Sequence, residues 1–236
     1  MSSPRDRMID AAAQRLRDHE VVLVGVGAPV IAANRARERH APNLQLVFES
    51  GAVGAVPSRP PLSIGDPTLV SGALASLSLA DVFSYVIEGG RIDTAFVGAA
   101  EIDRSGRLNT TAIGKYDSPT SRLPGSGGAA EIVAFSKRVV VLTALELRRF
   151  PERVGFVTSD PPTSTEVVVV TDRAVLTRPP GGDELMLTEL YEGETFDAVQ
   201  AEIGWPLQAK LEPHTMEGAA LAPQPTPRPG PRGPSS

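Results

Sequence analysis

The 236-residue sequence contains no cysteine, and only 5% of its residues are aromatic. Without cysteine the chain forms no disulfide and offers no thiolate, which excludes a disulfide scaffold, a cysteine nucleophile and a thiolate zinc site. The three histidines, His19, His40 and His214, lie far apart and lack the spacing of metal ligands. We therefore expect them at the surface.

Net positive charge and long apolar runs are also lacking. The formal net charge is −5 at pH 7, so we predict neither nucleic acid nor a membrane surface as a partner held by bulk electrostatics. The longest apolar runs, such as residues 139–142 and 167–170, are too short to cross a bilayer. Residues 1–10 are polar and charged, so we predict no secretory signal peptide and expect a cytoplasmic protein.

What the sequence does contain is an alternation of short apolar runs and helical patterns. The runs that predict buried strands are residues 21–24, 44–48, 94–97 and 139–143, and the helical patterns are residues 5–18, 29–40, 79–88 and 127–135. This alternation predicts an α/β fold with an open, mostly parallel sheet and helices on both faces. Shorter runs after residue 167 predict partly antiparallel C-terminal elements, and residues 114–126 are predicted to be irregular.

The composition changes near residue 212. Residues 212–236 include a stretch rich in proline, with glycine, arginine and serine, that has no apolar pattern. Such a segment cannot bury enough apolar surface to fold, so we predict a disordered tail. Residues 1–211 form one predicted domain.

A carboxylate stands directly after one of the predicted strands. Glu49 follows the apolar residues 46–48, and the small residues Ser50 and Gly51 leave space for a substrate. In parallel sheets chemistry collects at the carboxyl ends of strands, and partial desolvation there raises the nucleophilicity of a carboxylate. On these residues alone a nucleophile, a general base, a metal ligand and a solvated loop glutamate all remain open.

Glycines follow two other predicted strands. Gly25 and Gly27 indicate either a phosphate-binding turn or a simple strand-to-helix turn, since the third glycine of a dinucleotide-binding motif is missing. Gly98 comes directly after the strand at residues 94–97. All three are candidates for the wall of a pocket.

A further glycine-rich segment precedes a predicted helix. Ser126, Gly127 and Gly128 offer backbone N–H groups without obstruction by large side chains, which suits an oxyanion or a phosphate. The alternative is a flexible loop that leads into the helix.

Taken in order, these segments resemble the β subunits of class I CoA-transferases, in particular those of the glutaconate CoA-transferase type. The resemblance covers about residues 8–210. Its motifs are VGVGAP at 24–29, FESG at 48–51, GAAEIDRSG at 98–106, RLPGSGGA at 122–129 and GWPL at 204–207. Because several motifs occur in the same order and at similar spacing, the resemblance is specific.

The resemblance implies that Glu49 is the catalytic residue. In that family the glutamate attacks an acyl-CoA thioester to form an acyl-glutamyl anhydride, and the CoA thiolate then converts the anhydride into an enzyme–CoA thioester. The resemblance also implies oxyanion or CoA-binding and pocket-shaping groups, which are respectively Ser126, Gly127 and Gly128, and Gly25, Gly27, Ser50, Gly51 and Gly98. No bound cofactor and no metal are implied, since the CoA thioester is itself a substrate beside a carboxylic acid.

The resemblance further implies an α-type partner subunit, in an αβ or α2β2 assembly, because the active site of that family lies between the two halves. Two alternatives stand beside transfer: an acyl-CoA hydrolase or decarboxylase on the same fold, and a non-catalytic ligand-sensing domain. Relatives that hydrolyse or decarboxylate lack the glutamate, so Glu49 favours transfer. The sequence does not indicate which acids are donor and acceptor.

Overall fold

The computed structural model describes residues 3–57 and 59–211, and the predicted tail from residue 212 lies outside them. Thirteen strands are present in this part of the chain. In chain order they are β1 (Val21–Leu23), β2 (Gln45–Val47), β3 (Ala52–Val53), β4 (Ala75–Ser76), β5 (Thr94–Val97), β6 (Glu101–Ile102), β7 (Leu108–Asn109), β8 (Ala112–Lys115), β9 (Ser118–Arg122), β10 (Arg138–Leu142), β11 (Glu166–Val170), β12 (Ala174–Arg178) and β13 (Met186–Leu190).

Nine of these strands form one sheet in the order β13-β12-β11-β10-β5-β1-β2-β3-β4. The five central strands, from β11 to β2, run parallel, and two strands are added antiparallel on each side. Two small antiparallel hairpins, β6–β7 and β8–β9, stand outside the main sheet. The predicted fold class, a mostly parallel sheet with antiparallel C-terminal elements, is confirmed.

The helices are short. They are α1 (Pro4–Gln14), α2 (Ala28–Arg39), α3 (Leu79–Asp81), α4 (Ala129–Phe135) and α5 (Phe196–Gln200), with 3₁₀ turns at Pro67–Val70 and Leu147–Arg149 and a π-helical turn at Val82–Ile87. Ser3 begins α1, since its side chain accepts a hydrogen bond from the amide of Asp6 at 3.1 Å and Pro4 suits the first helical position. None of the helices in the described ranges is long and apolar enough to cross a membrane.

The two faces of the sheet are covered by different apolar clusters. Because successive residues of a strand point to opposite faces, Val140 of β10 packs with α1 and α2, whereas Val139 and Val141 pack with the region around Trp205. All three valines are fully buried, as expected for a strand in the middle of a parallel sheet.

Two local expectations were wrong. Residues 114–126, predicted to be irregular, contain most of the β8–β9 hairpin, in which Tyr116 stacks on Phe156 with ring centroids 5.0 Å apart. Most of the predicted helix at residues 79–88 is π-helical, with the amide of Glu88 donating to the carbonyl of Phe83 at 2.9 Å. A π-helical turn has nearly the same apolar spacing as an α-helix over so few residues, so the sequence pattern does not distinguish them.

Candidate active site

The carboxyl ends of β1, β2 and β5 lie side by side at one edge of the sheet, called here the carboxyl edge. The chain passes from β1 outward to β2 and later returns to β5 and β10 on the other side of β1. Loops that leave neighbouring strands in opposite directions open a crevice between them, and ligands of open α/β sheets bind at such points. The strand order therefore places a crevice where three of the motifs end.

A pocket of about 310 Å³ occupies this crevice. The ends of β1, β2 and β5 contribute Gly25, Glu49 and Gly98 to its lining, together with their apolar neighbours. The segment before α4 contributes Ser126, Gly127 and Gly128 from the opposite side. Six of the nine candidate residues thus line one pocket, although they are spread over 104 positions of the sequence between Gly25 and Gly128.

Glu49 lies in a tight turn between β2 and β3. The amide of Gly51 donates to the carbonyl of Phe48 at 2.9 Å, and the amide of Phe48 donates to Ala52 at 2.9 Å, so the backbone on both sides of Glu49 is held. The Glu49 side chain is half-buried and has no hydrogen bond or ion pair with any residue that the structure describes. A carboxylate left without a partner beside a pocket is available to a ligand.

Gly51 allows a second segment to approach this turn. Its φ is +113°, and a Cβ at this position would lie 2.1 Å from the carbonyl oxygen of Leu77. Only glycine meets both requirements, so Gly51 supports the turn through its backbone rather than by lining the pocket. Its neighbour Ser50 is exposed outside the pocket.

Gly128 lies between Glu49 and the aromatic ring of Phe83. A Cβ on Gly128 would lie 3.0 Å from Oε1 of Glu49 and 2.4 Å from Cζ of Phe83. The φ of Gly128 is −84°, which any residue adopts, so the close approach alone requires glycine here. Phe83 belongs to the π-helical turn and carried no recognisable signal in the sequence.

The backbone of residues 125–128, called here the glycine loop, has two positions in the left-handed region. Gly125 has a φ of +92° and Gly127 a φ of +50°. The amide of Ala129 donates to the carbonyl of Ser126 at 2.9 Å, which closes the loop. The amides of Gly127 and Gly128 have no acceptor within residues 3–57 and 59–211, so both are available to a bound group.

The remaining predicted pocket-shaping residues divide into two kinds. Gly25 and Gly98 line the pocket, and a Cβ at either position would meet no atom within 4 Å. Gly27 lies outside the lining, with a φ of +89° at the start of α2. The first two glycines therefore leave space open, whereas Gly27 makes the turn that starts the helix.

An apolar side of the pocket comes from a segment that has no recognisable motif in the sequence. Ile64 and Leu69 line the pocket, and Asp66 between them holds their segment in shape. The Asp66 side chain, 4% exposed, accepts hydrogen bonds from Arg59 and from the amides of Leu62 and Thr68, and these hold its pKa well below the usual range.

The comparisons with known proteins agree with this geometry. The sequence profile of the family described as "Coenzyme A transferase" matches residues 5–202. The chain belongs to the coenzyme A transferase family. The predicted enzyme class is thereby confirmed, and within residues 3–57 and 59–211 no group of three or more His, Asp or Glu side chains is arranged to hold a metal ion.

The curated relatives of this family member are β subunits. It is 38% identical over 219 residues to the β subunit of 3-oxoadipate CoA-transferase from Pseudomonas knackmussii, an alignment that covers 87% of this chain and 84% of that protein. It is 30% identical over 214 residues to the β subunit of glutaconate CoA-transferase from Acidaminococcus fermentans, with 83% and 80% covered. The predicted β-subunit type is confirmed.

Solved structures share the fold of this CoA-transferase family member but carry different activities. Glutaconate coenzyme A-transferase from Acidaminococcus fermentans matches with a TM-score of 0.80 and 26% identity, covering 88% of this chain and 86% of that one. The decarboxylase AibA/AibB matches with a TM-score of 0.79 and 28% identity, again covering 88% and 86%. The fold therefore does not by itself select the reaction, and the site residues must do so.

Proposed function

We propose that this chain is the β-type subunit of a two-component CoA-transferase in which Glu49 carries the reacting groups. The observation that supports this proposal is the Glu49 carboxylate, half-buried at the pocket, without a partner in the described part of the chain and in close approach to Gly128. A carboxylate nucleophile needs a free oxygen that faces the substrate and limited access of water.

In the first half of the reaction a Glu49 oxygen attacks the thioester carbonyl of an acyl-CoA. The C–S bond breaks, CoA leaves as the thiolate, and an acyl-glutamyl anhydride remains. The thiolate then attacks the glutamyl carbonyl, the anhydride C–O bond breaks, and the first acid leaves as its carboxylate. Glu49 now carries CoA as a thioester, so the energy of the substrate thioester is kept without a nucleotide or a metal.

The second half runs the same steps in reverse with another acid. The carboxylate of the acceptor attacks the glutamyl-CoA carbonyl and expels the thiolate, and the thiolate then attacks the acceptor carbonyl of the new anhydride. The acceptor leaves as its CoA ester and Glu49 is regenerated. Each attack places negative charge on a carbonyl oxygen, for which backbone N–H groups are suitable donors.

The donors we propose are the amides of Gly127 and Gly128. Both residues line the pocket, both amides lack an acceptor among the described residues, and Gly128 approaches Oε1 of Glu49 closely. Ser126 stands next to them in the lining, where it is placed to contact the CoA end of the substrate. Gly25 and Gly98 keep the opposite wall open for the acyl group.

An α-type subunit completes the proposed enzyme, in an αβ or α2β2 assembly. Both curated relatives compared above are named as one subunit of their enzyme, which supports a second component here. Their names refer to 3-oxoadipate and glutaconate, which are dicarboxylic acids. We therefore propose that one of the exchanged acids is a dicarboxylic acid.

Decarboxylation is the second candidate, and the structural likeness to AibA/AibB favours it. A decarboxylase has no need of a covalent glutamyl–CoA thioester, whereas CoA transfer by the proposed route requires one. The covalent adduct therefore discriminates between the two reactions on this fold.

The test is mass analysis of the Glu49 peptide after the chain, co-expressed with an α-type subunit, is incubated with acyl-CoA. We expect a CoA adduct on Glu49, and we expect Glu49→Ala to lower the rate of transfer by more than about a thousandfold because the nucleophile is removed. Glu192→Ala is the matched control, since Glu192 is exposed outside the pocket lining. Full transfer activity in Glu49→Ala contradicts the proposal.

A further inference from the structure

We infer that Thr110 is a positioning residue of this site, which holds the glycine loop in the arrangement that faces Glu49. Thr110 follows β7 and does not line the pocket. It therefore acts through the loop rather than on the substrate. The inference rests on the proposed function, because it assigns a supporting contact to the proposed oxyanion donors.

Thr110 is joined to Gly125 by two hydrogen bonds. The side-chain hydroxyl Oγ1 of Thr110 donates to the carbonyl oxygen of Gly125 at 2.8 Å. In return, the amide of Gly125 donates to the carbonyl oxygen of Thr110 at 2.9 Å. Both polar groups of the Gly125 backbone are thus bonded to one residue, immediately before the part of the loop that lines the pocket.

The glycine loop needs such a contact because its own residues do not determine its shape. Gly125 and Gly127 have positive φ angles, and glycine reaches many other conformations at little energetic cost. Thr110 restricts the first of these two positions. Since Gly127 and Gly128 follow at once, the direction of their free amides depends on how firmly Gly125 is held.

Thr110 is itself supported from a distant part of the chain. Its amide donates to Oγ1 of Thr158 at 2.9 Å, and the same oxygen is hydrogen-bonded to Oγ1 of Thr111 at 2.7 Å. The fully buried Asn109 side chain also accepts from the Thr111 amide at 3.0 Å. Thr110 therefore connects a rigid, buried base to a loop that has little rigidity of its own.

A contact that only orients oxyanion donors affects the transition state more than substrate binding. Its loss should lower kcat and kcat/KM by the same factor and leave the KM for acyl-CoA unchanged. For Thr110→Val, which keeps the shape of the side chain but removes the hydroxyl, we expect a decrease in kcat of about ten- to a hundredfold, since small misplacements of catalytic groups have effects of this size.

The experiment compares four proteins, each co-expressed with the α-type subunit: the unchanged chain, Thr110→Val, Thr110→Ser and Thr177→Val. Thr110→Ser retains Oγ and should stay within about threefold of the unchanged kcat, because the hydrogen bond is kept. Thr177→Val is the matched control, since half-buried Thr177 also shares a hydrogen bond between hydroxyls, at 3.0 Å to Thr188, but lies on β12 outside the pocket. It should leave kcat unchanged.

The rate of CoA adduct formation on Glu49 separates this inference from the proposed function. If the unchanged complex forms no adduct, the proposed function is wrong and the inference is overturned with it. If the adduct forms in the unchanged complex and equally fast in Thr110→Val, only the inference is overturned. Equal impairment of Thr110→Ser and Thr110→Val also overturns it.

Thr158→Val provides the same test should Thr110→Val fail to assemble. It removes the acceptor of the Thr110 amide and the hydrogen bond to Thr111, but leaves both bonds between Thr110 and Gly125. We expect a decrease in kcat of about three- to tenfold at unchanged KM, since each lost hydrogen bond loosens the base only in part. Unchanged kcat in Thr158→Val counts against the inference.

Discussion

The parallel strands begin among paired charges and end beside an unpaired one. At the amino edge, where β10 starts, the side chain of Arg138 is only 8% exposed and donates to Glu166 at 2.7 Å and to Glu20 at 3.2 Å. It also donates to Oγ1 of Thr94, the first residue of β5, at 3.1 Å. One guanidinium thereby connects groups at the starts of neighbouring strands.

At the carboxyl edge of the same strands the half-buried Glu49 has no partner among the residues described. Burial of a charge is costly unless it is paired, so each edge has a different consequence for stability. The pairs at the amino edge stabilise the fold, whereas Glu49 contributes nothing comparable and remains free for a ligand. Stability and reactivity are thus separated along the length of the strands.

The largest expected effect is at the amino edge. Arg138→Met should lower the free energy of unfolding by about 3 kcal/mol, because it leaves the carboxylates of Glu20 and Glu166 without their partner. Chemical denaturation of the purified chain measures this change. The kcat of the fraction that folds and assembles should remain unchanged.

Arg148→Met is the control for this change. Arg148 also forms a salt bridge, with Glu146, but its side chain is 76% exposed. An exposed pair contributes less than about 1 kcal/mol, so this variant should resemble the unchanged chain. Equal destabilisation by the two variants breaks the comparison, since burial at the amino edge then has no special effect.

The second effect is at the carboxyl edge and should appear in activity. In Gly128→Ala the new Cβ would lie 3.0 Å from Oε1 of Glu49 and 2.4 Å from Cζ of Phe83, so one of these groups must move. We expect kcat of the complex to fall by about a hundredfold, because Glu49 and the loop amides lose their relative placement. The measurement is the steady-state rate of CoA transfer.

The double variant Gly128→Ala/Phe83→Leu sharpens this prediction. Leucine withdraws the ring atom that obstructs the Cβ, so part of the lost activity should return if the contact with Phe83 pushes the loop out of place. If Gly128→Ala retains full kcat, the close approach at Gly128 has no catalytic importance.

The smallest effect concerns the dependence of stability on pH at the amino edge. Burial opposes ionisation of Asp93, but hydrogen bonds from Nζ of Lys137 at 2.7 Å and from the Val21 amide at 2.9 Å together hold its pKa below the usual value. A lowered pKa in the folded state contributes stability that is present above the unfolded pKa of about 3.9 and is lost as the pH falls through the folded pKa.

Asp93→Asn should therefore lower the melting temperature at pH 7 and make its decrease toward pH 3 less steep. Because Lys137 is largely exposed, we expect less than about 1 kcal/mol at pH 7. Asp117→Asn, at the exposed tip of the β8–β9 hairpin, is the control and should leave the pH profile unchanged. Parallel acid profiles for Asp93→Asn and the unchanged chain contradict the assignment.

The elements predicted well from the sequence are those with a strong apolar pattern. Strands β10 and β11 consist mostly of buried valines, and the alternation of such runs with helices indicates a parallel sheet. The β8–β9 hairpin has little such pattern because most of its residues are exposed, and Gly114 and Pro119 interrupt it. Its register depends on contacts with residues far away, such as the Tyr116–Phe156 stack.

The site was predictable where function leaves a local motif. Glu49 and the glycine loop were found because a carboxylate past an apolar strand and closely spaced glycines are visible in a short window of sequence. Phe83, Thr110 and Thr158 have no such motif, since their importance arises from neighbours brought close by the fold. No pattern in the sequence joins Thr158 to a loop about thirty positions away.

The buried Trp205 has a practical consequence for spectroscopy. It is the one tryptophan of the sequence and is 2% exposed, with its ring centroid 6.5 Å from that of Phe150. Because its indole lies in an apolar environment, tryptophan emission from the isolated chain arises from a single known position and should shift to longer wavelength when water reaches it. Unfolding of the core beside β10 can therefore be followed optically without any label.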